Sequence, residues 1–517
     1  MLLLNNPIHR RLLIALAFVV ISILNWDEEK LLEAFDSSSS TLGVSVKVKL
    51  KYTNEPIATV AYAISITKCG PKLNPFDAAA VLKRSIELNS WPNHPTSRYA
   101  AKFYAFVKTD DAALYNYQTD RCGKLLSLAG WTIIPKEDQF YWALMKEPKG
   151  SILKDGISRD GCCGKSELIK LETYKLPYEI AVHLDLDTLV TNPFDELYNV
   201  MYFSPDTEEG KQARKQLVEV VAPTYLNRRT SGHPSQGNVT ATDAENLLSN
   251  ITVNAFYTKD YNRVRPSKGH HVHVGAQGGF LVVKTSDVTY LKLRDMIYSG
   301  EYYGGFDGKT SGWFKSGYGR HIWGSRTIQG LMGHYFDHVE LENSVELNRC
   351  RYNNIAANAR VSTYSTNPKF PRGTLLDQVR NESNPSLNYE DLYCRDGREE
   401  CDETDCQRFP IKKTRLLHFT YCKAPKNCMD CGFMETYKEV SCYAFMKEWF
   451  RVRSTIRGES IPEMRDDAFS TVVQWLQEDG KVDVYQGNCY KEYTMGFCQG
   501  EGKYLPMKVA NLSLLSE

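Results

Sequence analysis

The chain has 517 residues, of which 42% are hydrophobic and 24% charged, a composition typical of folded globular proteins that excludes wholesale disorder. Its 63 Lys and Arg nearly balance 62 Asp and Glu, giving a net charge of +1. This balance argues against nucleic acid as a partner, because nucleic-acid-binding domains usually carry a strong basic excess. By ordinary domain sizes the length allows about two to four domains.

The first 26 residues predict the compartment. His9, Arg10 and Arg11 precede an apolar run over 12–24, and acidic residues follow at 27–29. This charge order predicts that the amino terminus stays cytosolic and the rest is translocated. We interpret 1–26 as a cytosolic tail and signal anchor, because no small-x-small cleavage site is found; a cleaved signal peptide is the alternative. Residues 27–55 then form a stem.

Glycosylation sequons and cysteines agree with a secretory protein. The sequons begin at Asn238, Asn250, Asn381 and Asn511. Nine of the 14 cysteines lie beyond residue 390, which predicts a disulfide-stapled region in an oxidising compartment. The alternative there is a zinc site at Cys428 and Cys431, but a second pair at zinc-finger spacing is missing. Cys162 and Cys163 are adjacent, and we expect each to pair elsewhere or to be buried.

The first elements alternate between strands and helices. We predict strands over 58–67, 103–107 and 131–134, separated by an amphipathic helix over 77–88, with Asp77 as its N-cap, and a short helix over 125–128. This order is typical of an α/β fold with a mostly parallel sheet and helices on its faces. The segment has neither a Gly-rich dinucleotide fingerprint nor a Walker A loop, which disfavours NAD enzymes and P-loop NTPases.

A paired-carboxylate motif follows the next predicted strand. A helix capped by Ser166 is expected to carry Lys170, and the apolar run 180–184 reads as a strand. Asp185 and Asp187 come directly after that strand, before an Asn-Pro turn. Ligands bind at such strand ends in open α/β sheets. Two carboxylates one residue apart there suit a divalent cation that also holds phosphate oxygens.

The second half contains a polar insertion and three further motifs. Residues 206–265 are expected to form a surface insertion. Gln277, Gly278 and Gly279 lead a β-branched strand that ends near 285, and a loop rich in Gly and aromatic residues over 300–324 is expected to face a ligand. A metal site at the histidines 270, 271 and 273 is disfavoured, because no further ligand is in register. Gln329-Gly330-Leu331 and the strand-terminal His418 complete the set.

Taken together and in this order, these motifs resemble family-8 glycosyltransferases, the glycogenin-like retaining transferases. The resemblance covers roughly residues 58–430. It implies a GT-A type, Rossmann-like mixed sheet flanked by helices, in one catalytic domain over 56–432. A Cys-containing helical extension over 433–517 would follow it.

The resemblance also implies roles for individual residues. Asp185, Asp187 and His418 would hold Mn²⁺, or Mg²⁺ in its place, and Lys170 would meet the donor phosphates. Gln277 and Gln329 would orient the sugar. The residues implied to contact the nucleotide sugar are Thr67, Lys170, Asp185, Leu186, Asp187, Gly278, Gly330 and Lys423. For the last of these the family's lysine has no unique match, because Lys423 and Lys426 flank Pro425.

The sequence departs from the family pattern at three places. Ile328 stands where the family has an acid, Tyr421 replaces a glycine, and a tryptophan after Pro425 is missing. The implied function is a Mn²⁺-dependent, retaining hexosyltransferase that uses a UDP-sugar and modifies a glycan, protein or lipid, as a type II Golgi membrane protein. The alternatives are a transferase-fold scaffold with little or no turnover and a self-glycosylating primer. We further expect Asp187→Ala to abolish Mn²⁺-dependent transfer while leaving thermal stability in metal-free buffer unchanged or raised.

Overall fold

The structure is a computed structural model that describes residues 55–68, 75–137, 140, 142–232, 239–264, 272–305, 310–357, 394, 396–398, 406, 409–420, 422, 441–456, 498–499 and 503–504. The chain divides into the units Met1–Glu55 and Pro56–Glu517, and the fold below is that of the second. Among the described residues, no helix is long and apolar enough to cross a membrane. The predicted signal anchor, most of the stem, Tyr421 and Lys423 lie outside the described residues.

The strands and helices are numbered in chain order. The strands are β1 (Ala58–Ile66), β2 (Tyr99–Lys108), β3 (Thr132–Lys136), β4 (Ile180–Leu184), β5 (Thr188–Val190), β6 (Ala255–Lys259), β7 (Ala276–Lys284), β8 (Tyr302–Tyr303), β9 (Gly312–Trp313), β10 (Ser344–Glu346), β11 (Leu416–His418), β12 (Cys498–Gln499) and β13 (Lys503–Tyr504). The α-helices are α1 (Phe76–Leu88), α2 (Arg121–Leu128), α3 (Leu153–Gly156), α4 (Asp195–Tyr202), α5 (Glu208–Leu217), α6 (Pro223–Ser231), α7 (Ala241–Ser249), α8 (Asp287–Ser299), α9 (Ile328–His334), α10 (Arg349–Tyr352) and α11 (Ser441–Ser454). The 3₁₀-helices are Trp142–Leu144, Ile157–Arg159, Gly164–Lys175, Tyr261–Arg263 and Ile411–Lys413, and Tyr335–Val339 is a π-helix.

A seven-stranded mixed sheet organises these elements, in the order β10-β6-β7-β4-β1-β2-β3. Only β7 pairs antiparallel to its neighbours, β4 and β6, while the other pairings are parallel. The carboxyl ends of β1, β4 and β6 therefore meet the amino end of β7 at one edge. The predicted α/β class with helices beside a mostly parallel sheet is confirmed.

The sheet is buried on both faces. Successive side chains of β1 point to opposite faces of the sheet, and both sets are buried. Val60, Tyr62 and Ile64 enter one hydrophobic cluster with α1, whereas Ala61 and Ala63 enter another with the 3₁₀-helix Gly164–Lys175. Strands enclosed in this way read as continuous apolar runs. This explains why β1 and β4 are recognisable in the sequence.

Two predicted helix caps are wrong. The N-cap of α1 is Pro75, and Asp77 is buried in the first turn. Ser166 does not cap its helix either, because that helix begins at Gly164; its hydroxyl accepts a hydrogen bond from Lys108 at 2.9 Å instead. For Ser166, a tertiary contact with β2 therefore replaces the capping contact that the local pattern predicts.

The predicted surface insertion over 206–265 needs correction. It contains helices α5, α6 and α7, but its last part forms β6, in which all five residues are buried between β7 and β10. The strand is hard to recognise in the sequence because it contains the polar residues Thr258 and Lys259, which are buried in the structure.

The carboxyl-terminal part joins the same core. Phe445, Met446 and Trp449 of α11 pack in the hydrophobic cluster that contains Val60, Tyr62 and Ile64 of β1. Cys350 forms a disulfide with Cys406, and Cys394 and Cys422 are also disulfide-bonded.

Candidate functional site

The site begins where β4 ends. The backbone N–H of Asp185 donates to the Gly279 carbonyl at 3.0 Å, so β4 remains paired with β7 as far as the first carboxylate. The chain then turns, and the Thr188 hydroxyl donates to the Asp185 carbonyl at 2.7 Å. This turn places the carboxylates of Asp185 and Asp187 at the sheet edge that holds ligands in open α/β folds.

A second, two-stranded sheet brings His418 to the carboxylates. β11 pairs antiparallel with β5, with His418 opposite Thr188, and the Phe419 N–H donates to the Asp187 carbonyl at 2.8 Å. The ligand atoms of Asp185, Asp187 and His418 consequently all lie within 4.8 Å of one another. Residues more than 230 positions apart in the chain thus form one cluster, as the sequence motifs predict.

The His418 ring is held by a second layer of polar contacts. Its Nδ1 lies 2.9 Å from Asn353 Oδ1, and the Asn353 amide nitrogen donates to the Thr258 hydroxyl at 3.0 Å. With Nδ1–H donating to Asn353, Nε2 faces the two carboxylates; the Thr420 hydroxyl lies 2.7 Å from it. Metal-binding histidines are typically oriented by such a partner on the other ring nitrogen. An imidazole and two carboxylates arranged in this way fit a divalent ion such as Mn²⁺.

Asp187 and His418 form an ion pair, with Nε2 3.3 Å from Oδ1. Burial alone would lower the pKa of His418, but the Asp187 carboxylate raises it above its ordinary value. Burial opposes ionisation of Asp187 as well, yet His418 lowers the pKa of that carboxyl. A divalent ion would replace the proton, because a metal-binding imidazole must be neutral.

Lys170 lies beside the same cluster. Its ammonium donates to Asp185 Oδ1 at 2.7 Å and to the Gly278 carbonyl at 2.9 Å, and the residue is buried. Burial would lower its pKa, but Asp185 and then Glu167 raise it overall. The long 3₁₀-helix Gly164–Lys175 thus supplies a permanent positive charge next to the carboxylates.

Two glycines at the start of β7 permit this close packing. A Cβ on Gly279 would lie 2.4 Å from His418 Cε1 and 3.0 Å from Asp185 Oδ2. A Cβ on Gly278 would lie 2.8 Å from Ile328 and 3.4 Å from Lys170 Nζ. Gln277 is half-buried, and its side-chain Oε1 accepts a hydrogen bond from the Gly279 N–H. This contact holds the Gln277 amide at the same edge of the sheet.

Asp260 is a site residue that the sequence reasoning missed. It follows β6 directly, is buried, and its Oδ2 accepts a hydrogen bond from Gln329 Nε2 at 3.2 Å. Its Oδ1 is buried and has no hydrogen-bond partner among the residues that the structure describes. Burial raises the pKa of this carboxyl. The available signal was the same as at Asp185, an acid directly after a short buried strand.

Of the remaining residues predicted to contact the donor, one lies at the same sheet edge and two are explained by packing. Thr67 follows β1 at the same edge and hydrogen-bonds to Cys163. The Leu186 side chain packs against the hydrophobic core. Gly330 is explained by packing, since a Cβ there would lie 1.9 Å from the Ser325 carbonyl oxygen. In the Gly-aromatic loop, Tyr302 and Trp313 are fully buried, so these two rings stabilise the core instead of facing a ligand.

Comparison with known proteins returns glycosyltransferases. No family model matches the chain, and no curated protein does. Among solved structures, the bifunctional glycosyltransferase WbbM is 11% identical, with 82% of this chain and 52% of WbbM covered and a TM-score of 0.33. Mouse xyloside xylosyltransferase 1 is 9% identical, covering 70% of this chain and 97% of that one, with a TM-score of 0.30. The galactosyltransferase LgtC, in complex with donor and acceptor sugar analogs, is 12% identical, covering 79% and 99%, with a TM-score of 0.31. The chain spans about half the length of WbbM. Likenesses at these TM-scores do not assign an activity to this chain.

Proposed function

We propose that the chain is a divalent-metal-dependent glycosyltransferase that takes its sugar from a nucleotide diphosphate donor. The observation that carries this proposal is the convergence of Asp185, Asp187 and His418 at the sheet edge, with the Lys170 ammonium 2.7 Å from the first carboxylate. A bound divalent ion would stabilise the negative charge that develops on a leaving diphosphate. Phosphate oxygens would complete the coordination of that ion.

The chain's own residues would bind and orient the donor. Lys170 is placed to neutralise phosphate charge as a buried cation, at a site where exclusion of water strengthens electrostatic stabilisation. Gln329 and Asp260 present a hydrogen-bonded amide and carboxylate, and Gln277 presents a second amide at the start of β7. Such groups suit the recognition of sugar hydroxyls, because amides both donate and accept hydrogen bonds.

The finer assignments belong to the same proposal. We infer membership in family 8, a UDP-hexose donor, Mn²⁺ as the ion, and retention of anomeric configuration, on the residues that carry the family resemblance. No protein nucleophile is assigned, since in such retaining enzymes the donor phosphate acts as base. We also infer a type II Golgi protein with a luminal transferase unit, on the charge order around 12–24 and on the sequons.

The test is donor turnover by the full-length protein in detergent. A panel of UDP- and GDP-sugars is incubated with Mn²⁺ or EDTA, and the released nucleotide is measured for wild type, Asp187→Asn and Asp295→Asn. Asp295 is 69% exposed on α8, which makes it a matched control for loss of one carboxylate charge. Mn²⁺-dependent release from one UDP-sugar, lost only in Asp187→Asn, is the expected result.

A catalytically weak scaffold is the second candidate, favoured by Ile328. This residue stands where the resembled family has an acid, and its side chain is buried against Gly278. A scaffold predicts Mn²⁺-dependent UDP binding without release of nucleotide from any donor, even when candidate glycan acceptors are added. Absence of both binding and release would refute the metal-site assignment itself.

A further inference from the structure

Cys162 and Cys163 face each other in the structure, contrary to the expectation that each pairs elsewhere or is buried. Their sulfur atoms lie 2.8 Å apart, Cys162 is exposed and Cys163 is half-buried. Among the cysteines whose side chains the structure describes, they alone are free.

The turn that carries these two thiols is built for this arrangement. Gly161 and Gly164 flank it in left-handed conformations, with φ of +70° and +59°, which other residues rarely adopt. A Cβ on Gly164 would also lie 2.3 Å from the Ser158 carbonyl oxygen. The backbone N–H groups of Cys162 and Cys163 both donate to Glu167 Oε1, at 2.7 and 3.1 Å. One carboxylate oxygen therefore fixes the backbone of both cysteines.

The same carboxylate connects the turn to the candidate donor site. The other Glu167 oxygen accepts a hydrogen bond from the Thr327 hydroxyl at 2.9 Å, and Thr327 is the residue before α9, which carries Gln329. Glu167 and Lys170 lie on one 3₁₀-helix. The Cys163 thiol itself hydrogen-bonds to Thr67 at the end of β1.

We propose that Cys162 and Cys163 form a thiol–disulfide exchange site whose oxidised state is a vicinal disulfide. The co-reactant is a small disulfide, RSSR. The Cys163 thiolate attacks one of its sulfurs, giving a Cys163 mixed disulfide and releasing RS⁻. Cys162 then loses its proton to RS⁻ and attacks the Cys163 sulfur, releasing the second thiolate, which takes up the proton lost by Cys163. The balance is two protein thiols and RSSR converted to one protein disulfide and two RSH.

The surroundings favour Cys163 as the attacking sulfur. The hydrogen bond from Cys162 lowers the pKa of Cys163 to about 6, with further support from Thr67 and Lys170. The thiolate is the reactive form in exchange. Cys162, exposed beside it, is in place to complete the reaction.

The oxidised state should be strained and therefore easily reduced. Adjacent Cα atoms across a trans peptide are about 3.8 Å apart, below the usual disulfide range of about 4.4–6.8 Å. Strained, exposed disulfides are the labile and regulatory ones. The Cys350–Cys406 bond joins two buried residues and serves as an internal comparison.

Oxidation should also change the contacts that hold the start of α9, the helix that carries Gln329. Ring closure requires the Cys162–Cys163 peptide to distort, and the backbone N–H groups of the two cysteines can then no longer both donate to Glu167. Loss of that anchor loosens the Glu167–Thr327 hydrogen bond at the start of α9. An effect on donor binding rests on the proposed function, whereas the thiol chemistry does not.

The experiment uses the full-length protein treated with glutathione disulfide. Trypsin cleavage after Arg159 and Lys165 releases a six-residue peptide with both cysteines, read by mass spectrometry after alkylation. The expected product is two hydrogens lighter, takes up no alkylating reagent, and reverts at a dithiothreitol concentration at least about tenfold below that which opens Cys350–Cys406. Cys162→Ser should instead stop at the glutathione adduct on Cys163.

Two results would overturn the proposal. One is a wild-type peptide that remains fully alkylatable or ends as a stable glutathione adduct; the other is pairing of either cysteine with a distant one. Hydrogen exchange over residues 324–334 should rise on oxidation of wild type and not of Cys162→Ser, and unchanged exchange would refute the coupling to α9. UDP binding is measured in parallel. Its absence in the reduced protein would count against the proposed function alone.

Discussion

Replacing Asp187 with Asn separates the metal role of this residue from its pairing with His418. Without metal, the 3.3 Å ion pair joins a histidine that is 2% exposed to a carboxylate that is 41% exposed. Removing one partner of a fully buried pair costs about 3–5 kcal/mol, and solvent screening of Asp187 reduces this to about 1–2 kcal/mol. We therefore predict a loss of metal-free stability for Asp187→Asn, the opposite of what the sequence alone led us to expect for Asp187→Ala, because His418 supplies the opposite charge.

The loss should depend on pH in a defined window. The folded pKa of His418 is raised above 6.5, so its contribution is fully present below that value and is lost as pH rises through the folded pKa. The folded pKa of Asp187 is lowered below 3.8, so its contribution is present above that value and is lost as pH falls through the folded pKa. In EDTA, the difference in unfolding free energy between wild type and Asp187→Asn should be largest between about pH 4 and 6.5 and should shrink as the pH rises through the folded pKa of His418.

Metal binding should show the opposite dependence, since His418 must be neutral to bind. At pH 8 and free Mn²⁺ at 100 times the wild-type Kd, the ion should stabilise wild type by about 2.7 kcal/mol. Loss of an outer-shell partner alone weakens metal binding about 10–100-fold, so loss of a ligand should reach at least the upper figure. The variant should then gain only about 0.4 kcal/mol.

Chemical denaturation with and without Mn²⁺, at pH 5.5 and pH 8, measures both effects, with Asp295→Asn as the charge-matched control. Full Mn²⁺ stabilisation of Asp187→Asn would refute its assignment as a ligand. An equal loss in Asp295→Asn would show that the effect is not local.

Two further predictions concern residues around the metal-binding cluster, and a third concerns a glycosylation sequon. Gly279→Ala should displace the His418 ring and weaken Mn²⁺ binding at least about tenfold while the fold is kept. The control Gly304→Ala, whose Cβ would meet only a side-chain methyl at 3.2 Å, should leave Mn²⁺ binding unchanged. Calorimetric titration of both variants with Mn²⁺ tests this. Lys170→Met should abolish UDP binding and destabilise the protein by about 1–3 kcal/mol by leaving a carboxylate unpaired, and Lys170→Arg should not restore UDP binding, because the ammonium lies in a close-packed site. If the chain is secretory, Asn250→Gln should remove one glycan detectable by glycosidase-sensitive gel mobility, since Asn250 is exposed at the end of α7.

The parts of the fold that were predictable are those with a continuous apolar run. β4 has the predicted bounds, and β1 differs from its prediction by one residue, because both strands are buried on both faces. The cluster of Asp185, Asp187 and His418 was also predicted, by motif order, and the structure supplies its cause in the β5–β11 pairing. That pairing joins segments more than 200 residues apart, which local pattern alone does not reveal.

The parts that were missed depend on long-range contacts. β6 looked polar because Lys259 is followed by Asp260, yet Lys259 is buried in an ion pair with Asp337. Compensated charges inside a strand remove the periodic pattern on which strand prediction relies. The facing thiols of Cys162 and Cys163 were missed for a related reason, since the two flanking glycine conformations and the shared Glu167 contact are visible only in three dimensions.

Ile328 stands at a position where the resembled family has an acid, and the structure shows its surroundings. Ile328 faces Gly278, so a carboxylate at that position would be close to Lys170 and the metal-binding group. The neighbouring Gln329 instead contacts Asp260, an acid delivered by β6 from a different part of the sheet. A carboxylate is thus present beside Gln329 although the local motif lacks one. Among the described residues, one oxygen of Asp260 is buried without a hydrogen-bond partner, so it is free to accept a hydrogen bond from a ligand. If Asp260 serves the donor sugar, Asp260→Asn should reduce sugar transfer far more than UDP binding; equal losses of both would assign it to the fold of the site instead.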